Sequence, residues 1–185
     1  SMRRIKGKET EIQDVFELIQ RNQPETERFL PVWQEECSSL PKTENFLKNQ
    51  MNFKDSMLSV RYGIYEAEKL VGLLECCTRG DVAHLNILVD KDSGARGYAS
   101  EALRLAEREI FKHGINEIQL ECSAYNYLSP RVVVANGYKL AELYDEYDSM
   151  HYYHKVIGDY LAGNRAAHSL LKPKEKIKVV QRYVR

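Results

Sequence analysis

A loop with two glycines, at residues 90–97, joins a predicted strand to a predicted helix and carries the first chemical signal in the sequence. Gly94 and Gly97 lack the Cβ that would hold a ligand away from the backbone. The unpaired N–H groups at the start of the helix lie at the positive end of its dipole, which suits a pyrophosphate. Arg96 could add a charge-assisted bond to a phosphate. The alternative interpretation is an ordinary helix start with a solvated arginine, because such loops are common.

The loop differs from both of the best-known nucleotide-binding motifs. It lacks the Lys-Ser/Thr pair of the P-loop and the three spaced glycines of the dinucleotide fingerprint. A wider pattern favours the phosphate site, because residues 94–103 resemble the acetyl-CoA signature of the GNAT acetyltransferases, Gln/Arg-x-x-Gly-x-Gly/Ala with its following helix. Residues 126–138 also resemble this family, which usually has Asn, then Ser or Ala, then a helix ending in Gly-Phe/Tyr. Residues 17–22 and 29–33 resemble its RimJ/RimL branch, which acetylates the N-termini of ribosomal proteins.

The resemblance covers roughly residues 5–157 and implies an acetyl-CoA-dependent N-acetyltransferase. It implies an α/β (α+β) fold with a central mixed, mostly antiparallel sheet flanked by helices. In such a fold the backbone of one strand binds the pantetheine arm like an added strand, and the loop amides bind the pyrophosphate. Asn126 would bind the pantetheine or support the opening between strands that receives it. The implied cofactor-binding residues are Ile87, Leu88, Val89, Ala95, Arg96, Gly97, Tyr98, Ala99, Ser100 and Asn126.

Two positions depart from the family pattern. Gly94 stands where Gln or Arg is usual, although backbone amides would still serve. Val133 stands four residues before Gly137, where many members have a tyrosine that acts as general acid for the leaving thiolate. Ser129 matches a serine that RimL-type enzymes have near the thiol, and its hydroxyl could protonate or hydrogen-bond the thiolate. Its place before Pro130 suits a helix N-cap equally well, and the two roles are compatible.

The acceptor amine must lose a proton before it attacks, directly or through water. The candidate bases are polar residues on the predicted strands and in the last hairpin, where RimL-type enzymes have an acidic residue. Glu75 and Glu146 are therefore catalytic candidates beside Ser129, with an ordinary solvated carboxylate as the alternative at either position. The other candidates are His84, Asn86 acting through water, and Asp145.

The elements that position these residues follow from hydrophobic periodicity. The predicted order is a helix at residues 10–21, a helix at 44–51, strands at 60–64, 70–77 and 82–89, the glycine loop with a long amphipathic helix, a strand at 118–122, a helix at 126–136, and strands at 138–144 and 150–157. The strands at 60–64 and 70–77 form a hairpin. In the strand at 82–89, the apolar side chains at odd positions share one face, and His84 and Asn86 lie on the other.

A boundary is predicted near Gly158, which separates an acetyltransferase domain at residues 1–157 from a C-terminal extension at 158–185. The extension is basic, with seven Lys or Arg against two acidic residues, and it also contains several apolar residues after residue 176. A purely solubilising tail would not need them. The mixture suits an added strand, a cover over the acceptor cleft, or a subunit contact in a homodimer.

Composition and charge mainly give arguments against particular classes of function. The formal net charge is zero and the pI is near 6.9, so the overall charge gives no argument for binding to nucleic acid or to a membrane. The chain has no apolar run of the ~20 residues that a membrane span needs. Its four cysteines form no C-x-x-C pair, which favours reduced, buried thiols in a cytoplasmic protein and gives no signal for a metal.

Three functions remain open from the sequence. The first is transfer of acetyl from acetyl-CoA to a protein N-terminal α-amine, on the resemblance to the RimL branch. The second has the same chemistry with a small-molecule acceptor, such as a polyamine, an amino sugar or an antibiotic. The third is a CoA-binding module without catalysis, which the substitutions at Gly94 and Val133 keep open.

Overall fold

The computed structural model describes residues 1–49, 57–94, 96–122, 128–145 and 150–168. A short first strand is followed by four helices, three consecutive strands, a long helix, a strand, a short helix, two strands and a last helix. The helices are α1 (Glu9–Arg21), α2 (Glu25–Phe29), α3 (Pro31–Glu36), α4 (Leu40–Lys48), α5 (Tyr98–Lys112), α6 (Pro130–Ala135) and α7 (Ile157–His168). The strands are β1 (Met2–Arg4), β2 (Met57–Glu66), β3 (Lys69–Arg79), β4 (Val82–Val89), β5 (Glu117–Cys122), β6 (Lys139–Asp145) and β7 (Met150–Val156).

The described strands form one sheet in the order β1-β2-β3-β4-β5-β7-β6. β4 and β5 pair in parallel, and the other neighbouring pairs are antiparallel. The predicted mixed, mostly antiparallel sheet flanked by helices is therefore confirmed. The strand predicted at residues 82–89 is β4 with the same bounds, and the predicted hairpin is β2 with β3.

Each face of the sheet buries its own apolar cluster, because side chains along a strand point alternately to the two faces. On one face, Leu85 and Ile87 of β4 pack with Leu103 of α5. On the other face, Leu88 of β4 and Leu73 of β3 belong to the cluster that α1, α3 and α4 complete. Both faces of β4 are therefore covered, which fixes this strand in the middle of the molecule.

The N-terminal helices differ in part from the prediction. Helix α1 begins one residue before the predicted start, and α2 and α3 were not predicted. The second predicted helix, at residues 44–51, is α4, which begins earlier, at Leu40. The reason is local: the Ser39 side chain accepts a hydrogen bond from the Lys42 amide and caps the helix, and Pro41 suits its first turn. Residues 50 and 51 lie outside the described residues.

Helix α7 begins at Ile157, directly after β7 and at the predicted boundary between domain and extension. Its Tyr160 is buried, and the ring stacks on Phe111 of α5 with the centroids 4.7 Å apart. The first turn of the extension therefore packs on the domain. Residues 169–185 lie outside the described residues. In the part of the chain that the structure describes, no helix is long and apolar enough to cross a membrane.

Candidate active site

The parallel strands β4 and β5 separate at one end. Their pairing ends with Leu85 opposite Leu120, whereas β4 continues to Val89 and β5 to Cys122. Over residues 86–89, the edge of β4 that faces β5 therefore has no strand partner among the described residues. Its backbone N–H and C=O groups can bind an extended ligand as an added strand.

A small cleft lies where the two strands separate. The side chains of all three predicted pantetheine-binding residues, Ile87, Leu88 and Val89, are buried in the two apolar clusters, and Ile87 also lines this cleft. Because these side chains belong to the core, β4 has mainly its backbone to offer a ligand. The lining residues are Phe29, Leu30, Leu85, Asn86, Ile87, Glu121 and Leu128.

The glycine loop is fixed to helix α1 at its first residue. The buried Asp90 carboxylate accepts from Nε of Arg21 at 2.9 Å, and the second guanidinium nitrogen lies 2.7 Å away. Burial alone would raise the pKa of Asp90, but the hydrogen bond and charge of Arg21 hold it below its usual value. Asn22 adds a second contact, because its Oδ1 accepts from the Lys91 amide at 2.9 Å. The first two residues of the loop are therefore attached to the end of helix α1.

Gly97 directly precedes helix α5 and has a left-handed backbone, with φ of +78°. Glycine adopts this conformation without strain. A Cβ added at Gly97 would meet no atom within 4 Å, so the space beside this backbone is open. The first amides of α5 have no partner within the helix and lie at the positive end of its dipole. The geometry is therefore that of an anion-binding helix start.

Arg96 lies exposed at the rim of the loop. Its Nη1 is 3.2 Å from a carboxylate oxygen of Glu66, the last residue of β2. Exposed pairs of this kind contribute little, about 0–1 kcal/mol, so the guanidinium can exchange partners at low cost. Beside it, Tyr98 and Ala99 are half-buried and pack against the α5 side of the core. Ala95 lies outside the described residues.

Helix α6 brings the second motif against the first. The Ser129 hydroxyl accepts from the Val132 amide at 3.4 Å, so the predicted N-cap is present. Val133 is fully buried. At the other end, the side-chain amide of Asn136 donates to the Ser100 hydroxyl of α5 at 3.0 Å. The start of α5 and the end of α6 are thereby joined.

Glu75 of β3 is buried and already has several donors. Its carboxylate accepts from Arg61 at 2.8 Å, and from the Trp33 indole and the Asn86 amide at 3.2 Å each. The Ser59 hydroxyl lies 3.5 Å away. Glu75 therefore connects helix α3 to β2 and β4, and a role as base remains a prediction.

Glu121 of β5 was not singled out in the sequence, yet it lines the cleft. Its Oε1 lies 3.3 Å from Nε2 of His84 on β4, and Tyr152 of β7 is its directly opposite partner. The signal was present in the alternation of residues 117–122, which places Glu117, Gln119 and Glu121 on one face. What the sequence did not show is that β4 and β5 part beside this residue.

Two predicted site residues, Asn126 and Glu146, lie outside the described residues. Asp145 is the last residue of β6. No group of three His, Cys, Asp or Glu side chains in the described ranges could hold a metal ion.

Comparison with known proteins gives both sequence and structural matches. The family described as acetyltransferase (GNAT) domain matches residues 3–139. No curated protein gives a significant match. The PaiA N-acetyltransferase from Thermoplasma acidophilum, in complex with coenzyme A, matches with a TM-score of 0.64 and 20% identity over 84% of this chain and 99% of its own.

Two further solved structures have similar scores. RimL, the ribosomal L7/L12 α-N-protein acetyltransferase in complex with coenzyme A, has a TM-score of 0.66 and 15% identity over 86% of this chain and 96% of its own. A chimera of the spermidine N-acetyltransferase SpeG from Vibrio cholerae and hSSAT has a TM-score of 0.63 and 14% identity, over 88% and 99%. These structures share the fold with this chain, although one acetylates a ribosomal protein and another derives from a spermidine N-acetyltransferase.

Proposed function

Because the chain belongs to the GNAT acetyltransferases, we propose that it transfers acetyl from acetyl-CoA to a primary amine by direct attack, in the cleft between β4 and β5. The observation that carries this proposal is the order of three features. The open edge of β4 leads into an anchored glycine loop, and the loop leads into the N-terminus of α5. An extended arm that ends in a pyrophosphate matches this order.

In this proposal the backbone of residues 87–89 binds the pantetheine arm. The amides of residues 95–100 bind the pyrophosphate, beside the open space at Gly97. Arg96 binds a phosphate from the rim, and Asn126 supports the pantetheine. The neutral amine then attacks the acetyl carbonyl, the C–S bond breaks, and the thiolate takes a proton. Ser129 protonates or hydrogen-bonds the thiolate while it caps α6.

The acceptor that we propose is a protein N-terminal α-amine, as in the RimJ/RimL branch. The support is the resemblance of residues 17–22 and 29–33 to that branch, together with the fold similarity to RimL. The fold similarity to the spermidine enzyme supports a small-molecule amine as the second candidate. The four cysteines are free thiols, which supports a cytoplasmic enzyme.

Two measurements on the purified protein test the proposal. Acetyl-CoA at ~100 times its Kd should stabilise the protein by ~2.7 kcal/mol in thermal melts, with much smaller effects of NAD and ATP. Mass spectrometry should then detect acetylation in a panel of peptides with free N-termini, spermidine and an amino sugar. The peptides should react fastest.

The outcomes separate the candidates. If only spermidine or the amino sugar is acetylated, the acceptor is a small-molecule amine and the proposal of a protein N-terminus is wrong. Stabilisation without any acetylation would favour a non-catalytic CoA-binding module. A protein that neither CoA nor acetyl-CoA stabilises would refute the cofactor site.

A further inference from the structure

We propose that a second anion-binding site lies at the end of α5 that is far from the glycine loop, and that it binds a small organic phosphate with an apolar or aromatic body. None of the described residues that line this site belongs to the glycine loop or to the cleft between β4 and β5. The inference is therefore independent of acetyl transfer. It assigns phosphate-binding roles to Arg4 and Arg108.

The site is an open cavity of about 650 Å³ between the sheet and α5. Small-molecule sites typically have volumes of ~300–1,000 Å³. One wall comes from β1, the edge strand of the described sheet, and its neighbour β2, and the other comes from the second half of α5. Helix α5 has 15 residues, so its two ends lie ~21 Å apart. A ligand in this cavity is therefore well separated from the proposed pyrophosphate site.

Strand pairing places Arg4 on the face of the sheet that α5 covers. Arg4 lies directly opposite Tyr62 in the pairing of β1 with β2, and Tyr62 belongs to the apolar cluster beneath α5. The guanidinium carbon of Arg4 lies 5.7 Å from the centroid of the Tyr62 ring. Burial raises the pKa of Tyr62, and the charge and hydrogen bond of Arg4 act in the opposite direction. By alternation Arg3 lies on the other face, over the ring of Tyr65.

Helix α5 contributes a stripe of side chains to the cavity. Leu105, Arg108 and Lys112 all line it, and their spacing of three and four residues is that of one helix face. Glu109 lies beside them and also lines the cavity. Arg104, one turn before Arg108, is exposed and is not among the lining residues.

The lining has an excess of positive charge. Among the described residues that line the cavity, Arg4, Arg108 and Lys112 are cations, and Glu109 is the one carboxylate. Glu109 pairs with Lys112 at 2.9 Å, so the carboxylate of the site has a cation of its own. The negative end of the α5 dipole opposes an anion, but it amounts to about half an elementary charge, less than a single cation.

The helix end alone explains only part of this charge. Basic side chains in a last turn and just after it, here Lys112 and His113, stabilise a helix through its dipole. Arg4 belongs to a different element. Its Nε is buried and has no hydrogen-bond partner among the described residues. Burying a charged donor without an acceptor is unfavourable, and an anion beside the guanidinium would offset that cost.

An organic phosphate matches both parts of the cavity. A guanidinium binds phosphate oxygens through two parallel N–H groups. A dianion also gains more from several cations than a carboxylate with one charge does. Met2, Tyr62 and Leu105 give the cavity an apolar side, which suits an aliphatic or aromatic body on the phosphate.

Phenyl phosphate is the probe for the test, followed by isothermal titration at low salt with saturating CoA present. CoA fills the proposed pyrophosphate site, so the probe does not compete for it. Three comparison compounds each lack one feature: inorganic phosphate has no apolar body, phenylacetate has a single negative charge, and benzyl alcohol has none. We expect phenyl phosphate to bind tightest and benzyl alcohol not to bind. The affinity should fall as salt is added, because salt screens the charges.

Two matched pairs of variants locate the site. Arg4→Gln and Arg108→Gln each remove a charge from the cavity. Arg3→Gln and Arg104→Gln remove the same charge outside it, on the same strand and the same helix. Loss of one charge-assisted bond should weaken phenyl phosphate binding by ~10–100-fold, whereas both controls should stay close to the parent affinity. Glu109→Gln should strengthen binding by ~5-fold, because it removes the negative charge of the lining.

Thermal melts with and without acetyl-CoA are recorded for every variant. Arg108→Gln should keep the acetyl-CoA stabilisation of the parent, so failure of this site and failure of the acetyl-CoA site are separate results. Equal affinity of Arg108→Gln and Arg104→Gln for phenyl phosphate refutes the site, as does phenyl phosphate that binds no tighter than benzyl alcohol. Phenylacetate that binds as tightly as phenyl phosphate refutes the assignment to phosphates. If Arg4→Gln does not fold, the pair of exposed residues, Arg108 and Arg104, decides alone.

Discussion

At the scale of single residues, Gly80 before β4 and Gly97 before α5 both have a positive φ. Their φ angles are +62° and +78°, and an added Cβ would meet no atom within 4 Å at either position. Valine at either residue should therefore cost strain, ~1–2 kcal/mol, and no clash. We expect Gly97→Val to abolish CoA binding and Gly80→Val to retain it, because only the first side chain would enter the proposed phosphate site.

Isothermal titration with CoA, alongside thermal melts, measures both effects. The melts should show a similar loss of stability in the two variants. Equal CoA affinity of Gly97→Val and the parent would place the pyrophosphate elsewhere.

Ser129 and Ser39 allow capping to be separated from catalysis. Their hydroxyls accept from the Val132 and Lys42 amides at 3.4 and 3.3 Å. Either serine-to-alanine change should cost ~1 kcal/mol of stability. We expect Ser129→Ala also to lower kcat by ~10²–10⁴-fold with little change in CoA affinity, because the hydroxyl that we propose as the partner of the thiolate is lost. Steady-state kinetics would contradict this if Ser129→Ala and Ser39→Ala had the same kcat.

At the scale of elements, the predictable parts are those that depend on local sequence. The bounds and faces of β4 follow from strict alternation, and α5 follows from helical spacing after a glycine. Helices α2 and α3 have only five and six residues, too few to be stable by propensity alone. Packing holds them instead: Trp33 of α3 is buried and donates to Glu75.

The same distinction applies to the candidate site. The role of Gly97 at the start of α5 could be predicted, because a turn before a helix has a local signature in the sequence. The bond between Arg21 and Asp90 joins residues 69 positions apart, and the contact of Glu121 with His84 depends on where two strands part. Such contacts depend on the topology of the sheet, which cannot be predicted from the residue pattern of a single strand.

Lys155 of β7 ties three elements together. Its Nζ lies 2.8 Å from the buried Glu107 carboxylate of α5 and 2.9 Å from the carbonyl of Asn136 at the end of α6. Burial raises the pKa of Glu107, with Lys155 acting in the opposite direction. Removing Lys155 would leave that carboxylate buried without its charged partner, and Asn136 also bonds Ser100 at the start of α5.

We therefore expect Lys155→Met to lower the free energy of unfolding by ~3–5 kcal/mol. A second change, Glu107→Met, should restore much of it. The exposed pair of Lys112 and Glu109 on the same helix is the control, and Lys112→Met should cost only about 0–1 kcal/mol. Urea unfolding measures the stability of all three variants. Equal midpoints for Lys155→Met and Lys112→Met would contradict the proposed role of Lys155 in joining the three elements.

At the scale of the whole molecule, the extension after residue 157 has two parts with different expected roles. Helix α7 packs on the domain through Tyr160 and Phe111. A chain ending at residue 157 should therefore lose stability, by ~3–5 kcal/mol if burial of the ring dominates. A chain ending at His168 keeps this contact, so it isolates the effect of residues 169–185.

We expect the chain that ends at His168 to fold and to bind acetyl-CoA normally, because the cofactor motifs end at Tyr138. It should differ from the full chain in acceptor turnover or in mass in solution, because residues 169–185 combine basic with apolar side chains.

A second variant of the full chain tests whether charge is responsible, with Gln in place of Lys172, Lys174, Lys176 and Lys178. If charge is responsible, this variant should lose as much as the truncated chain. If the segment forms an added strand or a subunit contact, the loss should be smaller. Light scattering and acetylation rates on one amine panel measure both quantities. If the shortened chain acetylates the same amines at the same rate and has the mass expected for the same assembly, residues 169–185 act in neither the site nor the assembly, and the prediction is wrong.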